Sequence, residues 1–396
     1  MIPTAQRIQQ VEEYYFSKKL AEVRSLDRPD SKVINLGIGS PDLAPSASTI
    51  EALNNTARLP GSHGYQSYKG IPALRQAIAS FYATTYRVTL DPEKHLLPLM
   101  GSKEGIMHIS LAFLNEGEEV LVPNPGYPTY TSVTTLCGGK IRYYSLKEEN
   151  GWRLDLDDLK QQDLSKVKIM WINYPHMPTG TVATQGELET LVALAKKHQF
   201  LIVNDNPYSL ILNDYPLSIL SIPGATEVAL ELNSLSKSHN MAGWRIGWLA
   251  GDQELIDAVL KVKSNMDSGM FLGLQQAAVE ALKSDRDWFK QQNEIYSTRK
   301  ERAVAILNLL DCEITTRQSG LFVWARAPQH VVSVEKWIDE ILYGARVFIT
   351  PGFIFGTEGK NYVRISLCAD ERIFQEAFNR IARWKQLTTN TQTVAI

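Results

Sequence analysis

The sequence predicts an α/β fold, with a large domain on a mostly parallel sheet and a smaller α+β domain after it. Two observations carry this. Short apolar runs recur at His95 to Met100, Glu119 to Val122, Val167 to Ile172, Phe200 to Asn204 and Val228 to Leu232, and turn residues follow them. Past residue 287 the pattern changes. Trp288 to Leu310 reads as one long amphipathic helix, and shorter strands follow at Gly320 to Ala325 and Arg346 to Ile349.

A chain of 396 residues is too long for one ordinary core. The expected division is an arm over 1–46 that joins the small domain, a large domain over 47–287 and a small domain over 288–396. Hydrophobic content of 44% and charged content of 21% describe an ordinary globular protein. A net charge of -2 gives no footprint for nucleic acid or an anionic membrane. No apolar run approaches the ~18 residues of a membrane span, and Met1 to Gln10 lacks an apolar signal core. Cys137, Cys312 and Cys368 are scattered and odd in number, which argues against a disulfide framework. A cytoplasmic protein is expected, with no nucleic-acid or membrane partner and no metal.

Taken in order, Gln6 to Leu26 sets Tyr14, Tyr15 and Phe16 on a charged helical pattern, an arm that packs on the body or on a partner subunit. In Ile34 to Asp42, Gly39 either allows backbone to approach a ligand or makes an ordinary tight turn. After the loop Gly64 to Gly70, which holds Tyr65, Pro72 starts a helix, where proline is tolerated in the first turn. The run ending at Met100 turns through Gly101-Ser102-Lys103-Glu104-Gly105 into the helical pattern Ile106 to Leu114. Free N–H groups and the helix dipole meet at such a turn, which suits a phosphate.

Two prolines around Pro123-Asn124-Pro125-Gly126-Tyr127 hold Tyr127 in place, as a core residue or as a stacking face. Asp205, in Asp205-Asn206-Pro207-Tyr208, can cap a turn or serve chemistry. Lys261 to Lys283 reads as a long helix. Tyr362 to Leu367 alternates like a half-buried strand, with Arg364 either facing solvent or binding an anion.

The most informative stretch is Ser234-Leu235-Ser236-Lys237, with Arg245 eight residues past the lysine. It follows a short buried strand, and ligands sit at the carboxyl ends of strands in open α/β sheets. A lysine there is an exposed loop residue or an amine nucleophile that forms a Schiff base with a carbonyl. Ser234, Ser236 and Arg245 can together hold a phosphate.

The S-x-S-K…G-x-R-x-G order resembles the pyridoxal-phosphate (PLP) aminotransferases of class I/II, the fold-type I, aspartate-aminotransferase-like superfamily. Other stretches agree in order: Y-x-x-x-x-G-x-x-x-L-R from Tyr65, P-x-P-x-[aromatic]-P at Tyr127, P-T-G at Pro178, D-x-x-Y at Asp205, and P-G-x-x-F-G from Pro351. The resemblance covers most of the chain and implies a seven-stranded, mostly parallel sheet. It implies that Lys237 carries PLP, and that the amides of Ser102 and Lys103, with Ser234, Ser236 and Arg245, hold its phosphate. Tyr65 is implied to reach the partner's phosphate across a homodimer interface. Tyr127 would stack on the ring, Asp205 would keep its nitrogen protonated, and Tyr208 would sit beside its 3-oxygen, with Asn173 in the same set. The N–H of Gly39 and the guanidinium of Arg364 would take the substrate carboxylate.

One position departs from the pattern. The asparagine that precedes P-T-G in the family, a hydrogen-bond donor to the 3-oxygen, is Met177 here. A thioether cannot donate, so the oxygen is left to Tyr208, or to Asn173 or His176 shifting inward.

The implied activity is ping-pong transamination between an L-amino acid and a 2-oxo acid, with Lys237 also moving the proton. A PLP-dependent C–S β-lyase on the same frame is the alternative, and a non-catalytic binding protein is a further one. The S-K-S-x-N-M-A-G-W-R-I-G form looks most like the branch that holds alanine, methionine, aromatic and LL-diaminopimelate aminotransferases. Tyr14, Tyr15, Ile38, Tyr68 and His176 are the expected side-chain contacts, and the substrate pair is left open.

Overall fold

The structure, a computed structural model, describes residues 2–11, 13 and 15–394, the side chains of 389–394 excepted. Its strands, numbered along the chain, begin with β1 (Ile34–Asn35), β2 (Leu96–Leu99), β3 (Glu119–Asn124) and β4 (Lys140–Ser145). Then come β5 (Val167–Ile172), β6 (Leu201–Asp205), β7 (Ala229–Ser234) and β8 (Gly247–Gly251). The remainder are β9 (Phe322–Arg326), β10 (Val347–Phe348), β11 (Thr350–Pro351) and β12 (Tyr362–Ser366).

Seven strands form one sheet in the order β2-β8-β7-β6-β5-β3-β4. β8 runs antiparallel to both β2 and β7, and the other pairings are parallel. The apolar runs make this sheet because helices cover both of its faces, so both sets of side chains need burial. Alternate residues divide accordingly. Leu97, Leu99, Val120, Val122, Trp171 and Val203 pack with the helices Ser102–Phe113 and Gln253–Lys263. Leu96, Leu121, Met170, Ile172 and Ile202 face the other core, with Leu74 and Ile78 of the helix Pro72–Tyr86. Pro72 does open that helix, at its first turn.

A second, antiparallel sheet has the order β11-β12-β9, and β1 pairs in parallel with β10. Helices Arg286–Leu309, Val334–Ala345 and Glu371–Val394 pack around it. The arm helix Tyr15–Leu26 docks on Val334–Ala345 through polar contacts. Buried Lys19 reaches Asp339 at 2.6 Å and Glu22 at 2.9 Å, and the Tyr15 hydroxyl donates to Glu335 at 3.2 Å.

Three expectations need correction. The arm pattern breaks into the helices Gln6–Gln9 and Tyr15–Leu26. Lys261 to Lys283 is not one helix: the chain leaves helix at Lys263 and resumes it at Leu272. Between them Gly269 sits at φ 83°, where a Cβ would lie 2.5 Å from the Gln66 carbonyl oxygen, and Asp267 draws in Lys263 and the Gly269 N–H. Those tertiary contacts override the helical periodicity. Strands β4 and β8 were not foreseen. β4 is a polar edge strand, and β8 is a run of five residues with a glycine at each end, too short to stand out as a strand.

Candidate active site

Strands β3, β5, β6 and β7 end side by side, and the segments that leave them meet at their carboxyl ends. β7 ends at Ser234, whose hydroxyl caps the single turn Leu235–Ser238 by accepting the Ser236 N–H at 3.0 Å. That turn presents Lys237. The Arg245 backbone is left-handed at φ 56°, and its guanidinium donates to the Ala242 carbonyl at 2.9 Å. Gly101, at φ 88°, precedes the helix Ser102–Phe113 without a side-chain cap. A Cβ on Gly101 would lie 2.3 Å from Arg245 Nη2, so only glycine lets the guanidinium meet the helix N-terminus there. Unpaired amides, two serine hydroxyls and a guanidinium at one point make an anion cradle.

Lys237 Nζ donates to the Gly39 carbonyl at 2.5 Å. Burial lowers the ammonium's pKa, and the charges of Arg364 and Arg245 add to this against the opposing pull of Cys368 and Asp205. Asp205 ends β6, only 6% exposed. Its Oδ2 accepts the Tyr130 hydroxyl at 2.9 Å, while Oδ1 is buried without a hydrogen-bond partner among the described residues. Burial pushes its carboxyl up to about 6, against the Tyr130 hydrogen bond and the Lys237 charge, which pull it down. Tyr130 is itself stacked on Trp171 at 5.0 Å and meets the edge of Tyr127 at 5.5 Å.

Asn173 is committed at both ends of its amide. It donates to the Asp205 carbonyl at 2.5 Å and accepts the Met177 N–H at 2.7 Å. Arg364, on β12, is sandwiched by Phe322 at 3.9 Å and Phe355 at 4.7 Å. Its Nη2 donates to the Gly37 carbonyl at 2.8 Å, and Nη1 lies 3.2 Å from Met177 Sδ. Burial raises the pKa of the Tyr208 phenol, which stays protonated and able to donate.

Gly39, Ser102, Lys103, Tyr127, Asn173, Asp205, Tyr208, Ser234, Ser236, Lys237, Arg245 and Arg364 line one cavity of about 360 Å³. Tyr65 does not; its side chain is 93% exposed on the loop before Pro72. Of the expected side-chain contacts, those among the described residues do not line the cavity. Tyr15, Ile38, Tyr68 and His176 are outside the lining, and Tyr14 falls outside the described residues. His176 is buried against Thr179 at 2.8 Å, and burial lowers its pKa to about 3. Phe16, Phe322, Phe355 and Tyr130 line the cavity in their place. Tyr130 had a legible signal, since it follows Tyr127 by three residues in a helix opened by Pro128, one turn along the same face.

The donor set fits PLP. The anion cradle suits its phosphate, and the unpartnered Asp205 Oδ1 suits a protonated ring nitrogen, which would supply the missing hydrogen bond. Away from this cavity, Glu104, His108 and Asp267 gather ligand atoms within 4.8 Å. Lys263 already donates to both Asp267 oxygens at 2.8 Å there, so an ammonium occupies that charge.

Residues 31–381 match the family described as Aminotransferase class I and II. The LL-diaminopimelate aminotransferase of Oleidesulfovibrio alaskensis is 40% identical over 353 residues, 88% of this chain and 91% of that one. The enzyme of the same name from Dehalococcoides mccartyi is 38% identical over 386 residues, 96% and 98% of the two chains. Among solved structures, substrate-bound BacF from Bacillus subtilis superposes with a TM-score of 0.91 at 35% identity, covering 97% of this chain and 98% of that one. Aspartate aminotransferase from Thermus thermophilus with maleate gives 0.90 at 26% identity, covering 97% and 100%. The chain belongs to the class I and II aminotransferases, enzymes of PLP-dependent transamination.

Proposed function

We propose that this cavity is the transamination site, with Lys237, Asp205 and Arg364 as its working groups. The observation that carries the reading is Asp205 Oδ1, a buried carboxylate oxygen left without a partner in the same cavity as a lysine of lowered pKa. PLP, when bound, supplies a carbonyl for amine condensation and an electron-withdrawing ring. The amides of Ser102 and Lys103, the hydroxyls of Ser234 and Ser236 and the Arg245 guanidinium hold the phosphate. Tyr127 offers a face to the ring, Asp205 holds a proton at the ring nitrogen, and Tyr208 donates to the ring oxygen. Asn173 orients the loop between Asp205 and Met177 through its two committed hydrogen bonds.

Arg364 takes the substrate carboxylate in a fork of donors. The Lys237 amine would remove the proton from Cα and, as general acid, deliver it to the cofactor's former carbonyl carbon. Burial, with the charges of Arg364 and Arg245, lowers the pKa of that amine, and the Gly39 carbonyl accepts its N–H and holds it in place. Substrates are an amino acid and a 2-oxo acid. The relatives are named for LL-diaminopimelate and the Thermus structure for aspartate, so the names alone leave the substrate of this chain undecided.

We further propose a homodimer in which the exposed Tyr65 reaches the partner's phosphate site. The division at 46/47 and 287/288 is supported by the sheets: the seven-stranded sheet lies within 47–287, while the β11-β12-β9 sheet and the β1–β10 pair draw only on the segments outside it. The test is product identity with PLP-loaded protein. Transamination yields one 2-oxo acid for each amino acid consumed, and a second oxo acid regenerates the starting absorbance. Ammonia formed in step with pyruvate would instead establish the β-lyase.

A further inference from the structure

Setting aside the residues assigned to phosphate, ring and amine, and Tyr130 and Asn173, which are hydrogen-bonded to Asp205, the described wall that remains adds Pro207 and Ala242 to Phe16, Gly39, Met177, Phe322, Phe355 and Arg364. Arg364 is the one cation in that set, and the rest is phenyl, thioether, small aliphatic or bare backbone. We infer that the substrate is a monocarboxylic amino acid with an apolar or aromatic side chain, and not one with a second charged end. This rests on the transamination reading and names its substrate class.

Three features support it. The Arg364 guanidinium lies against the rings of Phe322 at 3.9 Å and Phe355 at 4.7 Å and already donates from Nη2 to the Gly37 carbonyl, so its edge suits one carboxylate. Gly39 is bare because Phe322 occupies the space beside it; a Cβ there would lie 2.4 Å from Phe322 Cζ. Phe16 comes from the arm, and the contacts of Lys19 and Tyr15 with the helix Val334–Ala345 hold that arm against the body. A distal carboxylate or ammonium would leave water for phenyl rings and a sulfur, and among the described residues of that remaining wall none besides Arg364 carries a charge. An apolar side chain would gain by the same transfer.

The test uses PLP-loaded protein in two measurements. First, 3-phenylpropionate and glutarate, carboxylates with no amino group, are titrated by calorimetry. The inference expects 3-phenylpropionate to bind at least about tenfold more tightly. Second, the rate of conversion of the bound cofactor is measured with phenylalanine, leucine, methionine, aspartate, glutamate and LL-diaminopimelate. The apolar three should exceed the charged three by about 100-fold. Phe16→Ala should lower the phenylalanine-to-alanine rate ratio about tenfold, and Phe16→Leu less. Tighter glutarate binding, or LL-diaminopimelate or a dicarboxylate as the fastest substrate, would overturn the inference and leave transamination standing. Preferred binding of 3-phenylpropionate with no amino acid converted would sustain the apolar pocket and overturn the transamination reading.

Discussion

Asp205→Asn separates what the site costs the protein from what it does for the cofactor. The carboxyl rises from an ordinary 3.8 to about 6 in the fold, with burial as the cause. A folded value above the unfolded one means that stability from this group is fully present below 3.8 and is lost as pH rises through 6. At 1.36 kcal/mol for each pH unit, the cofactor-free protein bears about 3 kcal/mol at neutral pH for keeping this carboxylate buried and charged. Asparagine keeps an acceptor for the Tyr130 hydroxyl and cannot ionise, at the cost of an unpaired amide of about 1 kcal/mol. Urea unfolding of the cofactor-free proteins should therefore find the variant more stable by about 2 kcal/mol near pH 7.5. The ionisation part of that gain should fall to about half near pH 5. With PLP bound the order reverses, and the variant should hold the cofactor roughly 100-fold more weakly, having lost the charged partner of the ring nitrogen. A cofactor-free variant that is less stable at both pH values, or a difference that does not change with pH, would refute the reasoning.

Arg364→Lys keeps the charge but loses the fork, so kcat/KM should fall by about 100-fold while the absorbance of bound PLP stays unchanged. Steady-state kinetics beside a spectrum of the loaded protein checks both halves. On the proposed homodimer, Tyr65→Phe should weaken PLP binding about tenfold without changing the mass of the assembly, since it would remove one hydroxyl offered across the interface. Equilibrium dialysis and sedimentation decide it. Met177→Asn would offer the ring oxygen a second donor, since Asn173 is held by Asp205 and the Met177 N–H and His176 stays outside the cavity lining. The pH midpoint of the visible band of bound PLP should fall by about one unit in that variant, and an unmoved midpoint would contradict it.

Much of the fold and of the lining of the candidate site was legible because both depend on local rules. Strands buried on both faces are mostly apolar, so β5, β6 and β7 could be read from their apolar runs. Lys237, Asp205 and Ser102 sit at or just past strand ends, where turn residues fix their offsets. What could not be read depends on distant segments. Phe16, Phe322 and Phe355 converge only because the arm and the second sheet fold over the mouth of the first, and nothing local distinguishes them from core phenylalanines. Tyr15 and His176 looked suitable by chemistry, yet Tyr15 turns to Glu335 and His176 to Thr179. The helix expected from Lys261 fails at Gly269 for a similar reason, a contact with Gln66 far away in sequence.

The central claim is that Lys237 is the residue that carries the cofactor. Protein loaded with PLP should be reduced with borohydride, digested, and each peptide weighed by mass spectrometry. The account predicts one phosphopyridoxyl group for each chain, on Lys237, and none in Lys237→Ala treated in the same way. The group on Lys103 or another lysine, or label retained by the Lys237→Ala protein, would contradict it.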